Sequence, residues 1–209
     1  MIPKVLIVGL GGIGSNLVEL VVPALERCVL NVHIDLMDDD LVEAANVGHQ
    51  RFTTEDIAVH KVKSLKDRFS ANSTVTVDSI PHKLVDSSQL IGYDIVIVAV
   101  DRMEPRNLVH DSSASWLDLR CQGDGYIIID HNSNQDIVDS IPGNKTATSC
   151  QVEGALDYQN LEFGFAMCAT LGAQWLFQSI RQCYGYNTQL PSFRMGNITG
   201  GEMNWIGGV

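Results

Sequence analysis

The chain has 209 residues, 45% of them hydrophobic and 19% charged, enough to bury the core of one α/β domain and short for two. Its formal net charge of −11, with no clustered run of Lys and Arg, argues against nucleic acid as the main partner, because phosphate neutralisation needs basic clusters. No stretch approaches the roughly 18 uninterrupted apolar residues of a membrane span, and the five scattered cysteines lack C-x-x-C spacing, so neither a zinc site nor a disulfide framework is indicated. A cytoplasmic protein with no membrane partner is expected.

The run Lys4–Val8 is rich in β-branched residues and leucine, and it ends in glycines before an apolar-periodic stretch that begins at Asn16. That is strand, tight turn and helix. Within Gly9-Leu10-Gly11-Gly12-Ile13-Gly14, Gly9 allows the turn, Gly11 lets backbone approach a ligand, and Gly14 lets the helix pack closely on the strand. Backbone N–H groups at the start of that helix face a site suited to phosphate. The fingerprint points to a nucleotide without saying which one.

The first helix is expected over 15–28, with Pro23 predicting a kink or an early end. Residues 32–38 read as the second strand, closing on Asp38-Asp39-Asp40, where Asp38 suits a bidentate hold on a ribose. Residues 41–52 lack clean periodicity yet concentrate Glu43, Asn46, His49, Gln50 and Arg51, a dense polar set for a plain loop. Thr54 is expected to cap a short helical turn containing Glu55 and Asp56. A helix over 59–69 places Val62, Leu65 and Phe69 on one side and its charges elsewhere. A short strand over 74–77 and a small helix over 87–91 follow.

Residues 94–101 form a continuous apolar run that reads as a buried parallel strand, ending at Asp101 where open α/β sheets place functional groups. Pro105 suits the first turn of the next helix. A strand over 126–130 follows Gly125, and 135–141 reads as one more short strand. Residues 161–183 are apolar on most faces, which predicts a helix buried on two sides, in the core and against a second subunit of a homodimer, the alternative being a central helix buried wholly within a monomer. The tail over 192–206 reads as a hairpin turning at Gly200-Gly201. With no repeat and no linker, the expectation is a single domain over 1–209: a Rossmann-like, doubly wound, mainly parallel sheet with late antiparallel strands.

The ordered motifs resemble the ThiF/MoeB and ubiquitin-activating-enzyme family of adenylyltransferases. Gly9-Leu10-Gly11-Gly12-Ile13-Gly14-Ser15 is similar to the family's G-x-G-G-x-G-S loop, and residues 38–46 to its D-x-D-x-V-x-x-x-N segment. Gln50 falls at the glutamine of its N-L-x-R-Q, Lys61 at a phosphate-binding lysine, and Asp101 with Arg106 at its strand-end aspartate and downstream arginine. The resemblance implies ATP and Mg²⁺ as cofactors, with Asp101 as the metal ligand. Gly9, Gly11, Gly12, Ile13, Gly14, Asp38, Asp40, Asn46, Gln50, Lys61 and Asp101 would bind the nucleotide, and Asp101, Lys61, Asn46 and Arg51 would take part in catalysis. The acceptor it implies is the C-terminal glycine of a small ubiquitin-like or sulfur-carrier protein, with Cys150 placed where some members form a thioester.

The chain departs from the family pattern at His49, which stands where the family has arginine, with Arg51 two residues on, and it lacks the zinc-binding cysteine pairs of many relatives. Two other classes share part of the pattern. One is a catalytically silent family member acting as an interaction partner. The other is an NAD-binding oxidoreductase, since G-x-G-x-x-G before an acidic strand end also fits NAD but leaves Lys61 and Asp101 without a role.

Overall fold

The computed structural model describes residues 1–141, 151, 154, 155, 157–190 and 193–203. The β-branched runs make the centre of one sheet. β1 (Lys4–Val8) lies between β2 (Val32–Met37) and β4 (Ile95–Val98), both parallel to it. β3 (Val75–Ile80) and β5 (Ser115–Gln122) extend the parallel set on either side. β6 (Gly125–Asp130), β7 (Phe193–Asn197) and β8 (Gly201–Met203) then add antiparallel strands, giving the order β3-β2-β1-β4-β5-β6-β7-β8. The strand order reverses between β1 and β4, where a doubly wound sheet opens a crevice beyond its carboxyl ends.

Alternation along the central strands builds two cores. Val5 and Ile7 join the cluster shared with α1 (Gly12–Arg27), α2 (Lys61–Arg68) and α5 (Gly164–Cys183). Leu6 and Val8 join the cluster on the other face, with α3 (Met103–His110) and α4 (Gln135–Ser140). α1 and α5 pack against each other, and their Leu17, Leu25, Trp175 and Leu176 are fully buried. Each such side chain contributes about 1.5–3 kcal/mol by leaving water. Among the described residues, no helix is long and apolar enough to cross a membrane.

Several expectations are corrected. Residues 135–141 are not a strand: Gln135–Ser140 is helical, because the Asn134 side chain accepts from Asp136 N–H (2.9 Å) and caps it. α1 runs through Pro23 to Arg27 without an early end, with Leu25 beyond the proline fully buried. The short turn Thr54–Asp56 is capped from Thr53, whose N–H and hydroxyl both donate to the Asp56 carboxylate at 2.7 and 2.9 Å. β5 was hidden in the sequence, since Asp118 and Arg120 interrupt its apolar run. The antiparallel strands, expected after Asp130, begin with β6 itself. A tail hairpin forms over 193–203 with Gly200 in its turn and Gly201 opening β8, while residues 192 and 204–206 lie outside the described residues. α5 buries one stripe in the core, and its half-buried Met167, Leu171 and Phe177 pack against the same cluster.

The glycine turn makes a stability contrast. A Cβ on Gly14 would stand 1.9 Å from the Gly9 carbonyl oxygen, a backbone atom that cannot step aside, whereas one on Gly11 would meet nothing within 4 Å. Gly14→Ala should therefore lower unfolding free energy by about 1–3 kcal/mol or more, and Gly11→Ala should leave it nearly unchanged. Denaturant titration giving equal midpoints for the two variants would contradict this close approach of α1 to the β1 turn.

Candidate functional site

The site begins at the end of β1. Gly9 has φ +90°, and a Cβ there would come within 2.6 Å of the Ala99 carbonyl oxygen, so only glycine lets the chain turn against β4. Gly9 N–H donates to Met37 O at 2.9 Å. Leu10 N–H donates to Asp38 Oδ2 at 2.6 Å, and Asp40 N–H donates to Asp38 Oδ1 at 2.8 Å. One carboxylate thus ties the glycine turn to the end of β2. Burial raises the Asp38 pKa, opposed by the Leu10 and Asp40 backbone bonds and by Lys61. A carboxylate has about four acceptor positions, so two N–H donors leave Asp38 capacity for hydroxyl groups.

The first turn of α1 fixes a second wall. Asn16 Nδ2 donates to Gly12 O (2.7 Å) and to His49 O (3.1 Å), Arg51 N–H donates to Ser15 Oγ (3.1 Å), and Arg51 Nε donates to Asn16 Oδ1 (2.7 Å). These bonds fasten the segment around residue 50 to α1, so that His49 and Gln50 reach the cavity while the Arg51 guanidinium is held on Asn16. Asn46 is also used locally, its Oδ1 accepting from Glu43 N–H at 2.9 Å.

The cavity beyond the carboxyl ends of β1, β2 and β4 has a volume of about 650 Å³. Of the residues expected from the sequence, Gly9, Gly11, Gly12, Ile13, Asp38, Asp40, Gln50, Lys61 and Asp101 line it; Gly14, Asn46 and Arg51 do not. Cys150 lies outside the described residues. Sequence reasoning missed residues 82–85 after β3, together with Arg120 and Cys121 at the end of β5. The signal for 82–85 was only their place after a strand end; for Arg120 and Cys121 it was concealed with β5.

Lys61 is buried, and its Nζ pairs with the exposed Asp40 carboxylate at 2.9 Å. Gln50 Oε1 is buried in the wall with no hydrogen-bond partner among the described residues, a cost of about 1–3 kcal/mol that a ligand donor would relieve. The donor set also fits Mg²⁺, which keeps several waters and takes one or two protein carboxylates beside phosphate oxygens. Asp38, Asp39 and Asp40 bring carboxylate oxygens within 4.8 Å of one another, but Asp38 serves backbone N–H groups and Asp40 serves Lys61. Asp101 is exposed, lines the cavity and has no such commitment among the described residues.

The ThiF family model matches residues 3–205. The chain belongs to the ThiF family. No curated protein matches it in sequence. Among solved structures, Escherichia coli MccB with ATP is 20% identical with a TM-score of 0.68, covering 97% of this chain and 63% of that one. E. coli MccB with AMPCPP and MccA is 19% identical (TM-score 0.67; 97% and 63% covered), and PaaA is 18% identical (0.67; 96% and 62%). At these identities the likeness is one of fold, and the chain spans less than two thirds of each neighbour's length.

Two positions of the ThiF pattern have particular surroundings here. His49, at the family's arginine position, has its pKa lowered by burial and then by Lys61, so the imidazole is neutral at pH 7. Arg106 is buried, donates to Val100 O and to Leu119 O, and pairs with the fully buried Asp118. His110 also meets Asp118, with Nε2 3.1 Å from Oδ2, and stacks on Trp116 at 4.3 Å between ring centroids. Burial pushes the His110 pKa down to about 4, with Arg120 and Arg106 adding to it. An unfolded chain therefore takes up a proton below about pH 6.5 that the folded chain refuses until about pH 4. Stability should fall as pH drops through that window, and His110→Gln should flatten this part of the profile. An unchanged profile of unfolding midpoint against pH in the variant would contradict the assignment.

Proposed function

We propose that this ThiF-family chain is an ATP-dependent adenylyltransferase that activates a carboxylate of a second substrate. The observation that carries the reading is convergence: the glycine turn, Asp38, Lys61 and Asp101 come from separate elements and line one cavity at the β1–β4 switch point. E. coli MccB, with the same fold, is crystallised with ATP and with AMPCPP and MccA together, which supports a nucleotide and a partner molecule meeting at such a site.

In this reading the N–H groups of the glycine turn approach the phosphates, and Asp38 accepts from ribose hydroxyls with the lone pairs its backbone donors leave free. Lys61 exchanges its Asp40 partner for a phosphate. Asp101 would hold Mg²⁺, which when bound neutralises phosphate charge. An oxygen of the acceptor carboxylate forms the bond to the α-phosphorus, the bridging bond to the β-phosphate breaks, and its electron pair leaves with pyrophosphate. Both nucleophile and leaving group are anions, so no protein group needs to move a proton. Positioning and charge neutralisation do the work. The resemblance in the first half of the chain supports a small ubiquitin-like or sulfur-carrier protein as the acceptor.

A specific observation favours a second reading, a catalytically silent partner. The neutral His49 and the Arg51 guanidinium held on Asn16 leave the polyphosphate side with fewer free cations than the family pattern supplies. ATP–pyrophosphate exchange, run with small carrier proteins that end in a free glycine carboxylate, separates the two. The adenylation reading predicts Mg²⁺-dependent exchange that Asp101→Ala reduces about a hundredfold or more. Lys61→Ala should weaken ATP about tenfold and AMP much less. Exchange at the wild-type level in Asp101→Ala would remove that residue from the metal site. ATP binding without exchange for any carrier would favour the silent partner.

A further inference from the structure

At the β5 end of the cavity two guanidiniums share one carboxylate. Asp118 is fully buried, and Arg106 pairs with its Oδ1. Arg120 Nε and Nη2 both donate to Oδ2, at 3.0 and 2.7 Å. The third neighbour, His110, is neutral at pH 7, so two positive charges face one fully buried negative charge. The Arg120 side chain is only 13% exposed, and burial lowers its pKa to about 10, which leaves it charged at neutral pH. The other acids on this side of the cavity, Asp101 and Glu104, are exposed, and among the described residues neither pairs with Arg120.

Arg120 is also held in place. Asp118 anchors one edge of its fork, and the Cys168 thiol on α5 donates to its carbonyl oxygen at 3.0 Å. Its Nη1 has no partner among the described residues, and the residue lines the cavity. In the sheet, Asp118 pairs with Val98, so Arg120 stands beyond the carboxyl end of β4. Asp38 and residues 82–85 lie on the other side of the switch point, at the ends of β2 and β3. A nucleotide seated with its ribose on Asp38 and its phosphates on the glycine turn occupies that side, leaving the β4–β5 side to the second substrate.

We propose that Arg120 receives the carboxylate of the acceptor, binding it through the free edge of its guanidinium and aiming one oxygen at the α-phosphorus. This rests on the adenylation reading above. The excess cation calls for an anion, and a fork already oriented by Asp118 loses little rotamer freedom in binding one. Arg120 transfers no proton: the carboxylate oxygen gains the bond to phosphorus, and the electron pair of the broken bridge departs with pyrophosphate.

The test uses the whole chain and follows the Arg120 Nε–Hε resonance by ¹⁵N NMR, assigned from its loss in Arg120→Lys, which keeps a cation beside Asp118. The probes are N-acetylglycine, its uncharged counterpart N-acetylglycinamide, and MgATP; ATP affinity is measured by calorimetry on wild type and Arg120→Gln. The expected result is a saturable shift with N-acetylglycine and none with the amide, while the glutamine variant binds ATP within about twofold of wild type. A shift produced by MgATP alone, with ATP binding weakened about tenfold in Arg120→Gln, would assign the residue to nucleotide phosphates instead. Absence of any N-acetylglycine shift would overturn the carboxylate site. Failure of wild type to bind ATP would count against the nucleotide reading, while the N-acetylglycine titration would still report on Arg120.

Discussion

The Asp38 carboxylate is the fastening on which the site depends. By accepting from Leu10 N–H and Asp40 N–H it joins the turn after β1 to the end of β2, fixing the start of α1 against the neighbouring strand. Hydrogen bonds to an ionised acceptor contribute more than neutral ones, and here they are made in a half-buried place where water competes poorly. The same residue has acceptor capacity left for a ligand. Simple deletion of the carboxylate would therefore remove that capacity and release the turn together.

A similar economy runs through the other polar residues around the cavity. Ser15 and Asn16 begin a helix and also carry the loop that presents His49 and Gln50. Lys61 starts α2 with its ammonium paired to Asp40, so its buried charge is compensated within the protein. Arg106, at the downstream arginine of the family pattern, is a strut joining α3 to the chain after β4 and to β5. Its neighbour Arg120 is the guanidinium with an edge left unused among the described residues.

Much of the sheet could be read from the chain because its central strands are continuous apolar runs whose ends carry glycine or aspartate; β1 matches its expected bounds. The glycine turn, Asp38, Lys61 and Asp101 were legible for the same reason, as local patterns at strand ends and a helix start. What escaped notice depends on contacts distant in sequence. β5 carries Asp118 and Arg120, which look like surface residues until Arg106 and His110 arrive from α3 to bury them. Arg51 read as a stand-in phosphate clamp because nothing local shows that Asn16, on another element, takes its Nε. The 135–141 segment reads as a short strand by its length, yet its apolar residues fall at 137, 138 and 141, a helical spacing, and the Asn134 cap starts the helix.

The central claim is that the cavity over the switch point holds a nucleotide triphosphate, with its phosphates on the glycine turn. Calorimetric titration of the whole chain with ATP and with NAD⁺, each with and without Mg²⁺, tests it most directly. The account predicts saturable ATP binding that Mg²⁺ strengthens, and NAD⁺ binding at least about tenfold weaker. NAD⁺ binding as tightly as ATP, without regard to Mg²⁺, would contradict it.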